Sequence, residues 1–206
     1  DAARLERLAA RRLAGQPLET VVGWAEFRGL RVAVEPGVFV PRRRTGLLVD
    51  LALRHAAPGA VAVELCAGGA AAAAAALAAE APELEVHAAE LDPAAVRVAR
   101  RNLDPARVHE GDLYDALPAD LRWRVRILVA NAPYVPTREV PLMPPEARQH
   151  EPRLALDGGA DGLDVQRRVI AGAPEWLAPG GVLLVETSER QAPTTVALMR
   201  EAGLVA

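Results

Sequence analysis

The stretch Val125-Arg126-Ile127-Leu128-Val129-Ala130-Asn131-Ala132-Pro133-Tyr134 decides how this chain is read. The apolar run 125–130 reads as a buried strand. The four residues after it place an Asn, a rigid Pro and an aromatic ring where that strand leaves the sheet. Open parallel sheets carry ligands beyond the carboxyl ends of their strands. Asn131 and Tyr134 therefore stand at a candidate site. A plainer reading is a strand followed by a Pro-containing turn, with Tyr134 in the core.

The pattern on either side is alternating. Residues 60–65 read as a buried strand, 70–80 as an Ala-rich helix and 84–89 as the next strand. Asp92-Pro93 starts a helix to about Asn102, with Asp as N-cap and Pro at the first helical position. A short strand is predicted at 107–109. The segment 131–161 is Pro-rich and reads as a long irregular loop, a kind that is usually functional or disordered. A helix over 162–176, a turn at Pro179-Gly180-Gly181, a strand over 182–186 and a helix over 193–202 follow. Upstream, residues 2–14 read as an amphipathic helix ended by Gly15, with Leu5, Leu8 and Leu13 on one side. Residues 24–27 and 30–34 read as a hairpin turning at Arg28-Gly29, and 45–56 as helical. Strand–helix alternation of this kind implies an α/β fold with a doubly wound, mostly parallel sheet of the Rossmann-like type, preceded by a short N-terminal helix and a β-hairpin.

Composition narrows the function. At 206 residues there is room for one sizeable α/β domain, and 51% hydrophobic with 25% charged residues is ordinary for a soluble protein. Aromatics are only 3%, so Ala, Leu and Val must build the core. All 24 basic residues are Arg, which reads as a coding bias rather than a nucleic-acid footprint, and the net charge of −3 argues against a duplex-binding surface. Cys66 is the one cysteine, so neither an intrachain disulfide nor a cysteine zinc cluster can form. His55, His87, His109 and His150 show no ligand spacing, so no metal site is expected. The run from Leu65 to Ala79 is too short to span a bilayer, and a cytoplasmic protein without membrane contact is the expectation.

Three further features fall at the ends of successive strands. Strand 60–65 runs into Glu64-Leu65-Cys66-Ala67-Gly68-Gly69-Ala70, where small residues let a ligand approach the backbone and a helix N-terminus supplies free N–H groups. The next strand ends in Glu90, about 20 residues beyond the glycines, the usual place of a ribose-binding carboxylate. The third leads to Gly111-Asp112-Leu113, where a carboxylate can accept from an adenine amino group while Leu113 covers the ring. Alone, each has a plain alternative: a solvated loop charge, or a tight Gly-Gly turn. Together with Asn131-Ala132-Pro133-Tyr134 at a fourth strand they are hard to obtain by accident. The fingerprint G-x-G-x-x-G is absent, which disfavours a nicotinamide cofactor.

Tetrapeptides of the form Asn-x-Pro-Tyr mark methyltransferases acting on planar amide or amino nitrogens, and the chain resembles the HemK/PrmC-type protein-(glutamine-N(5)) methyltransferases along nearly its whole length. The resemblance is carried by Gly15-Gln16-Pro17-Leu18 through Gly23-Trp24-Ala25-Glu26-Phe27-Arg28-Gly29-Leu30, by Pro36-Gly37-Val38-Phe39-Val40-Pro41-Arg42 with Thr45, and by the specific stretch from Pro145 to Asp164. With Asn-Ala-Pro-Tyr it is similar to an actinobacterial-looking branch. The chain departs from the family pattern in several places. Cys66 and Ala70 stand where glycine alternates, Glu64 replaces the usual Asp, Ala132 replaces the commoner Pro, and Gly46 stands where an acidic residue is common. A methyl at Ala70 is expected to be costly if the backbone there needs positive φ.

The resemblance implies a class I fold using S-adenosylmethionine (SAM). It implies cofactor contacts at Glu64, Cys66, Ala67, Gly68, Glu90, Asp112, Leu113, Asn131, Pro41, Arg42 and Thr45. It implies methyl transfer to a glutamine side-chain nitrogen in the Gly-Gly-Gln loop of a peptide chain release factor, with no direct nucleic-acid binding. In that chemistry the Asn131 side-chain oxygen and the Ala132 carbonyl accept the substrate N–H groups, Pro133 holds the turn and Tyr134 packs on the planar amide. His150 and Glu151 are expected to pin the long loop over the pocket, and the glycines from 158 to 162 to support it. By the same resemblance, residues 1–23 are expected to be the remnant of an N-terminal helical substrate-binding domain with its linker, and 24–206 the methyltransferase domain short of its closing strands. Two alternatives remain open from sequence: an amino-methyltransferase on a nucleobase, and a pseudo-enzyme with weak cofactor binding because of Cys66 and Ala70.

Overall fold

The computed structural model describes residues 2–206. Helices α1 (Ala2–Leu13) and α2 (Leu18–Val22) precede a hairpin of β1 (Trp24–Phe27) and β2 (Leu30–Ala33), and α3 (Gly46–Leu53) leads into the main sheet. Then follow β3 (Val61–Leu65), α4 (Ala72–Glu80), β4 (Glu85–Glu90), α5 (Pro93–Ala99), β5 (Val108–Glu110), β6 (Val125–Ala130), α6 (Pro145–His150), α7 (Asp164–Gly172), β7 (Leu177–Val185) and α8 (Ala192–Glu201). The five strands pair in the order β5-β4-β3-β6-β7, all in parallel. The order reverses between β3 and β6, which is where such sheets open a ligand crevice.

Side-chain alternation along the strands loads both faces. Ala62, Val86, Ala88, Ile127 and Val129 pack with the alanines of α4, whose small side chains bring helix and sheet close. Val61, Val63, Leu65, Leu128 and Ala130 pack with Val169 and Trp176 on the opposite face. Glu64 therefore faces α4, and this explains its helix contact below. The pairing of β6 with β7 breaks register between Val125 and Ile127, and Arg126 escapes there to donate to the Gly180 carbonyl at 2.5 Å. An arginine inside a buried strand is accommodated by that irregularity.

Several boundaries differ from the sequence reading. The loop 131–161 is not wholly irregular: it contains α6 and a parallel bridge between Val135 and Asp157. The turn expected at 179–181 lies inside β7, which is longer than predicted because the register break absorbs the glycines. The helix expected over 162–176 begins at Asp164, since Gly159 and Gly162 hold left-handed φ before it. Asp92 caps α5 as expected, accepting from Ala94 N–H at 2.8 Å. The amphipathic α1 buries none of its residues; Arg11 ties it down by donating to the Thr20 and Val21 carbonyls. Among the described residues no helix is long and apolar enough to cross a membrane, and no group of His, Cys, Asp or Glu could hold a metal ion.

Candidate active site

Three adjoining cavities lie along the carboxyl ends of β4, β3 and β6, and Phe39 walls all of them. The first, about 160 Å³, runs between Gly68, Glu90, Leu91, Asp112 and Leu113 on the sheet side and Pro152, Leu154 and Ala155 of the long loop. The second, about 20 Å³, is lined by Pro41, Arg42, Thr45, Glu64, Ala67, Ala70 and Asn131, and shares Cys66 with the first. The third, about 50 Å³, is lined by Asn131, Ala132, Pro133 and Tyr134 with Arg42, Arg44 and Met143. Every residue singled out for the site from sequence thus lines one of three cavities that share walls.

Around the first two cavities the polar groups are held by nearby backbone. Glu90 accepts from Gly68 N–H at 2.7 Å and from Asp92 N–H at 2.8 Å, one bond to each oxygen. Each oxygen keeps a lone pair for a further donor such as a sugar hydroxyl. Burial raises the Glu90 carboxyl above its ordinary value, and these N–H groups pull against the rise. Glu64 accepts from Ala74 N–H at 2.7 Å at the start of α4. Burial pushes its carboxyl up to about 8 despite that bond. Asp112 is paired with Arg168 of α7 at 2.8 Å.

The backbone of this half is strained where non-glycine residues adopt left-handed conformations. These are Cys66 (φ 53°), Ala71 (φ 44°) and Leu113 (φ 48°). The expectation about Ala70 is corrected by this pattern. Ala70 is not among the positive-φ residues; the left-handed positions fall on Cys66, on Gly68 (φ 58°) and on Ala71, one residue later. Each non-glycine in this region costs about 1–2 kcal/mol, and such strain concentrates at ligand clamps.

Around the third cavity the holding groups come from far along the chain. Asn131 Nδ2 donates to Thr45 Oγ1 at 3.2 Å, and Thr45 Oγ1 donates to Glu186 at 2.6 Å. Arg44 donates to Glu186 at 2.9 Å and to the Tyr134 hydroxyl at 2.7 Å. The Gln191 amide donates to the Tyr134 carbonyl at 3.0 Å and to the Asp161 carbonyl at 2.9 Å. A Cβ on Gly158 would come within 2.5 Å of the Pro133 carbonyl oxygen, and one on Gly162 would collide with the Tyr134 carbonyl oxygen. The glycines from 158 to 162 therefore shape the Asn131–Tyr134 turn by close backbone approach.

The loop bearing Phe39 is fastened to α6 by one ion pair. Glu151, with a side chain 1% exposed, accepts from Arg42 at 2.6 Å and from Val40 N–H at 3.4 Å. Burial raises the Glu151 carboxyl, with Arg42 opposing. Glu151 thus pins the long loop, as expected from sequence. His150 does not share that role: its Nε2 is buried and unpartnered among the described residues.

Sequence reasoning passed over Phe39, Arg44, Arg168, Glu186 and Gln191. Glu186 carried a usable signal, because it follows the last sheet strand just as Glu90 ends β4 and Asn131 follows β6. Phe39 lies inside the stretch 36–42, but nothing local says that it lines three cavities. The others reach the site only through the packing of α7, α8 and the loops.

No protein-family model matches the chain. Named relatives do. The chain is 41% identical over 200 residues to the release factor glutamine methyltransferase of Geobacter sulfurreducens, covering 95% of this chain and 69% of that protein. It is 43% identical to the one from Streptomyces coelicolor, covering 92% and 69%. A 4-amino-L-phenylalanine/4-methylamino-L-phenylalanine methyltransferase of Streptomyces pristinaespiralis is 39% identical, covering 94% and 68%. Among solved structures, a methyltransferase from Pyrococcus furiosus superposes with a TM-score of 0.61 at 19% identity over 95% of this chain and 86% of its own. A complex from E. cuniculi responsible for methylation of the eRF1 translation termination factor gives 0.53 at 20% identity, over 80% and 84%. These structural likenesses establish the class I methyltransferase fold. The sequence identity over most of the chain goes further, and by it this protein belongs to the release factor glutamine methyltransferase family.

Proposed function

We propose that this enzyme transfers the methyl group of SAM to the side-chain amide nitrogen of a glutamine, in the Gly-Gly-Gln loop of a peptide chain release factor, in the cytoplasm and without contacting nucleic acid. The observation that carries the reading is the placement of Asn131-Ala132-Pro133-Tyr134 on a cavity next to the two that hold Glu64, Glu90 and Asp112. The donor set fits the cofactor. Glu64, Glu90, Asp92, Asp112 and Asp157 line the first two cavities, while Arg42, Arg44 and Arg168 are each paired with a carboxylate. Such a surround favours a cationic sulfonium and an ammonium, and disfavours a phosphate-bearing dinucleotide.

Glu90 would hold the ribose, Asp112 the adenine amino group with Leu113 against the ring, and Glu64 with Cys66, Ala67 and Gly68 the amino-acid end beside Pro41, Arg42 and Thr45. SAM supplies an electrophilic methyl group. The residues of this chain supply the rest. An amide nitrogen is a poor nucleophile because its lone pair is delocalised. The Asn131 side-chain oxygen and the Ala132 carbonyl accept its two N–H bonds, which fixes the group and raises electron density on nitrogen. Tyr134 stacks on the amide plane, and Pro133 limits the turn to one φ. No general base is required before transfer, so the rate gain rests on alignment and on fixed dipoles.

The test is methylation of a Gly-Gly-Gln peptide, an intact release factor, an oligonucleotide and 4-aminophenylalanine, with mass-spectrometric mapping. Methylglutamine in the peptide and the release factor supports the reading. Methyl groups confined to the oligonucleotide or to the free aromatic amine overturn it.

A further inference from the structure

We infer that Glu186 is a positioning residue that sets the polarity of the Asn131 amide through Thr45, so that the Asn131 oxygen faces the substrate. The inference rests on the reading of Asn131 as an acceptor for the substrate nitrogen. The oxygen and nitrogen of an amide have nearly the same shape, and only the partners decide which way it points. Here the partner chain is directional. A carboxylate oxygen only accepts, so the single Thr45 hydroxyl proton goes to Glu186, across 2.6 Å. The Thr45 oxygen is left with lone pairs toward Asn131, and it can be satisfied only by Nδ2–H, at 3.2 Å. Asn131 Oδ1 accepts no hydrogen bond from the described residues, and Asn131 and Tyr134 line the same cavity.

The same carboxylate orders the tyrosine. Arg44 donates to the Tyr134 hydroxyl at 2.7 Å, and that hydroxyl donates to Glu186 at 3.3 Å. Glu186 is well placed for both duties: it immediately follows β7, and its side chain is only 13% exposed. Without the carboxylate, a Gln at this position could turn its N–H toward Thr45. Thr45 could then donate to Asn131 and turn the amide over. The site would present N–H to the substrate N–H, two donors facing each other.

The experiment compares Glu186→Gln, Thr45→Val, Thr45→Ser and Asn131→Ala in the full chain. It measures kcat and KM on a Gly-Gly-Gln peptide, SAM affinity by calorimetry, and side-chain amide exchange of Asn131 by NMR. Glu186→Gln and Thr45→Val should each lose about 100-fold in kcat, the scale of a lost oxyanion-type contact. SAM affinity should stay near the unsubstituted value in Glu186→Gln, Tm should stay near it in both variants, and Thr45→Ser should keep most of the activity. The combined Glu186→Gln/Thr45→Val variant should be no worse than its poorer single, because both act on one relay. The Asn131 amide protons should exchange faster in either variant, a readout that needs no turnover. An unchanged kcat or unchanged Asn131 exchange in Glu186→Gln overturns the relay. If instead Asn131→Ala turns over normally, the acceptor reading itself fails, and the exchange data still report on the relay separately.

Discussion

The proposed cofactor half and the proposed amide half of the site are built by different means. In the first, each acidic group is satisfied close by in sequence: Glu90 by Asp92 N–H two residues on and by Gly68 N–H 22 residues back, Glu64 by Ala74 N–H ten residues on. In the second, Asn131 leans on Thr45 across 86 positions, and Thr45 on Glu186 across 141. The cofactor half is a property of β-α-β units, since a strand end, a turn and a helix start bring those groups together. The amide half is a property of sheet order, because β6 sits between β3 and β7 and gathers the loop before α3 and the end of β7 around Asn131. Asp112 is the exception in the first half, with its partner Arg168 56 positions away.

The sharpest break between the halves is expected from Asn131→Ala. Transfer to a Gly-Gly-Gln peptide should fall by about 100-fold or more, while SAM affinity measured by calorimetry stays within about twofold, on the scale of a few tenths of a kcal/mol. Equal losses in both quantities would mean that the halves are not separable.

Next comes the pH dependence of the cofactor half. The Glu64 carboxyl is raised in the folded state from 4.5 to about 8. A raised carboxyl binds its proton more tightly when folded. Its contribution is therefore complete below the unfolded value and is lost as pH rises through the folded one. The ligand-free protein should lose stability between pH 5 and 8, on the order of a few kcal/mol. Glu64→Gln should flatten that slope in denaturant titrations across the range. An identical slope in the variant would assign the effect elsewhere.

Glu90→Ala should weaken SAM binding by about 1–3 kcal/mol, and the loss has two parts: a ribose acceptor and the anchor of Gly68. Glu90→Gln separates them, because it keeps the volume and one acceptor oxygen yet cannot serve both Gly68 and Asp92 N–H. An unchanged affinity in Glu90→Ala removes the residue from the site. The smallest effect is expected from Cys66→Gly. Relief of left-handed strain at φ 53° should stabilise the fold by about 1 kcal/mol, read as a higher denaturant midpoint with unchanged slope. A lower midpoint would show that the Cys66 side chain contributes more by packing than its backbone costs.

The halves differ in legibility for the same physical reason. Strand 125–130 was readable despite Arg126, because five apolar neighbours outweigh one charge, but the register break that lets Arg126 reach Gly180 was not. The Asp92-Pro93 helix start was readable to the residue, since capping is settled within a few positions. The left-handed strain falls on Cys66 and Ala71 and not on Ala70. A glycine-rich pattern marks that some backbone there turns left-handed, and the packing of α4 against β3 decides which residues do. The end of the 131–161 loop was legible only as a run of glycines; that Gly158 and Gly162 press on the Pro133 and Tyr134 carbonyls depends on how the loop folds back.

By itself the amino-acid order determined the strand–helix alternation, the helix starts, and the acidic and amide groups at four strand ends. All of these follow from periodicity and from contacts a few residues long. Only the tertiary structure decided that Phe39 walls three cavities, that Arg42 is engaged by Glu151, and that Thr45 stands between Asn131 and Glu186. The contacts of Arg42 and Thr45 join residues more than 80 positions apart, and no local preference encodes them. They exist because the sheet, once ordered by burying both its faces, fixes which strand ends become neighbours.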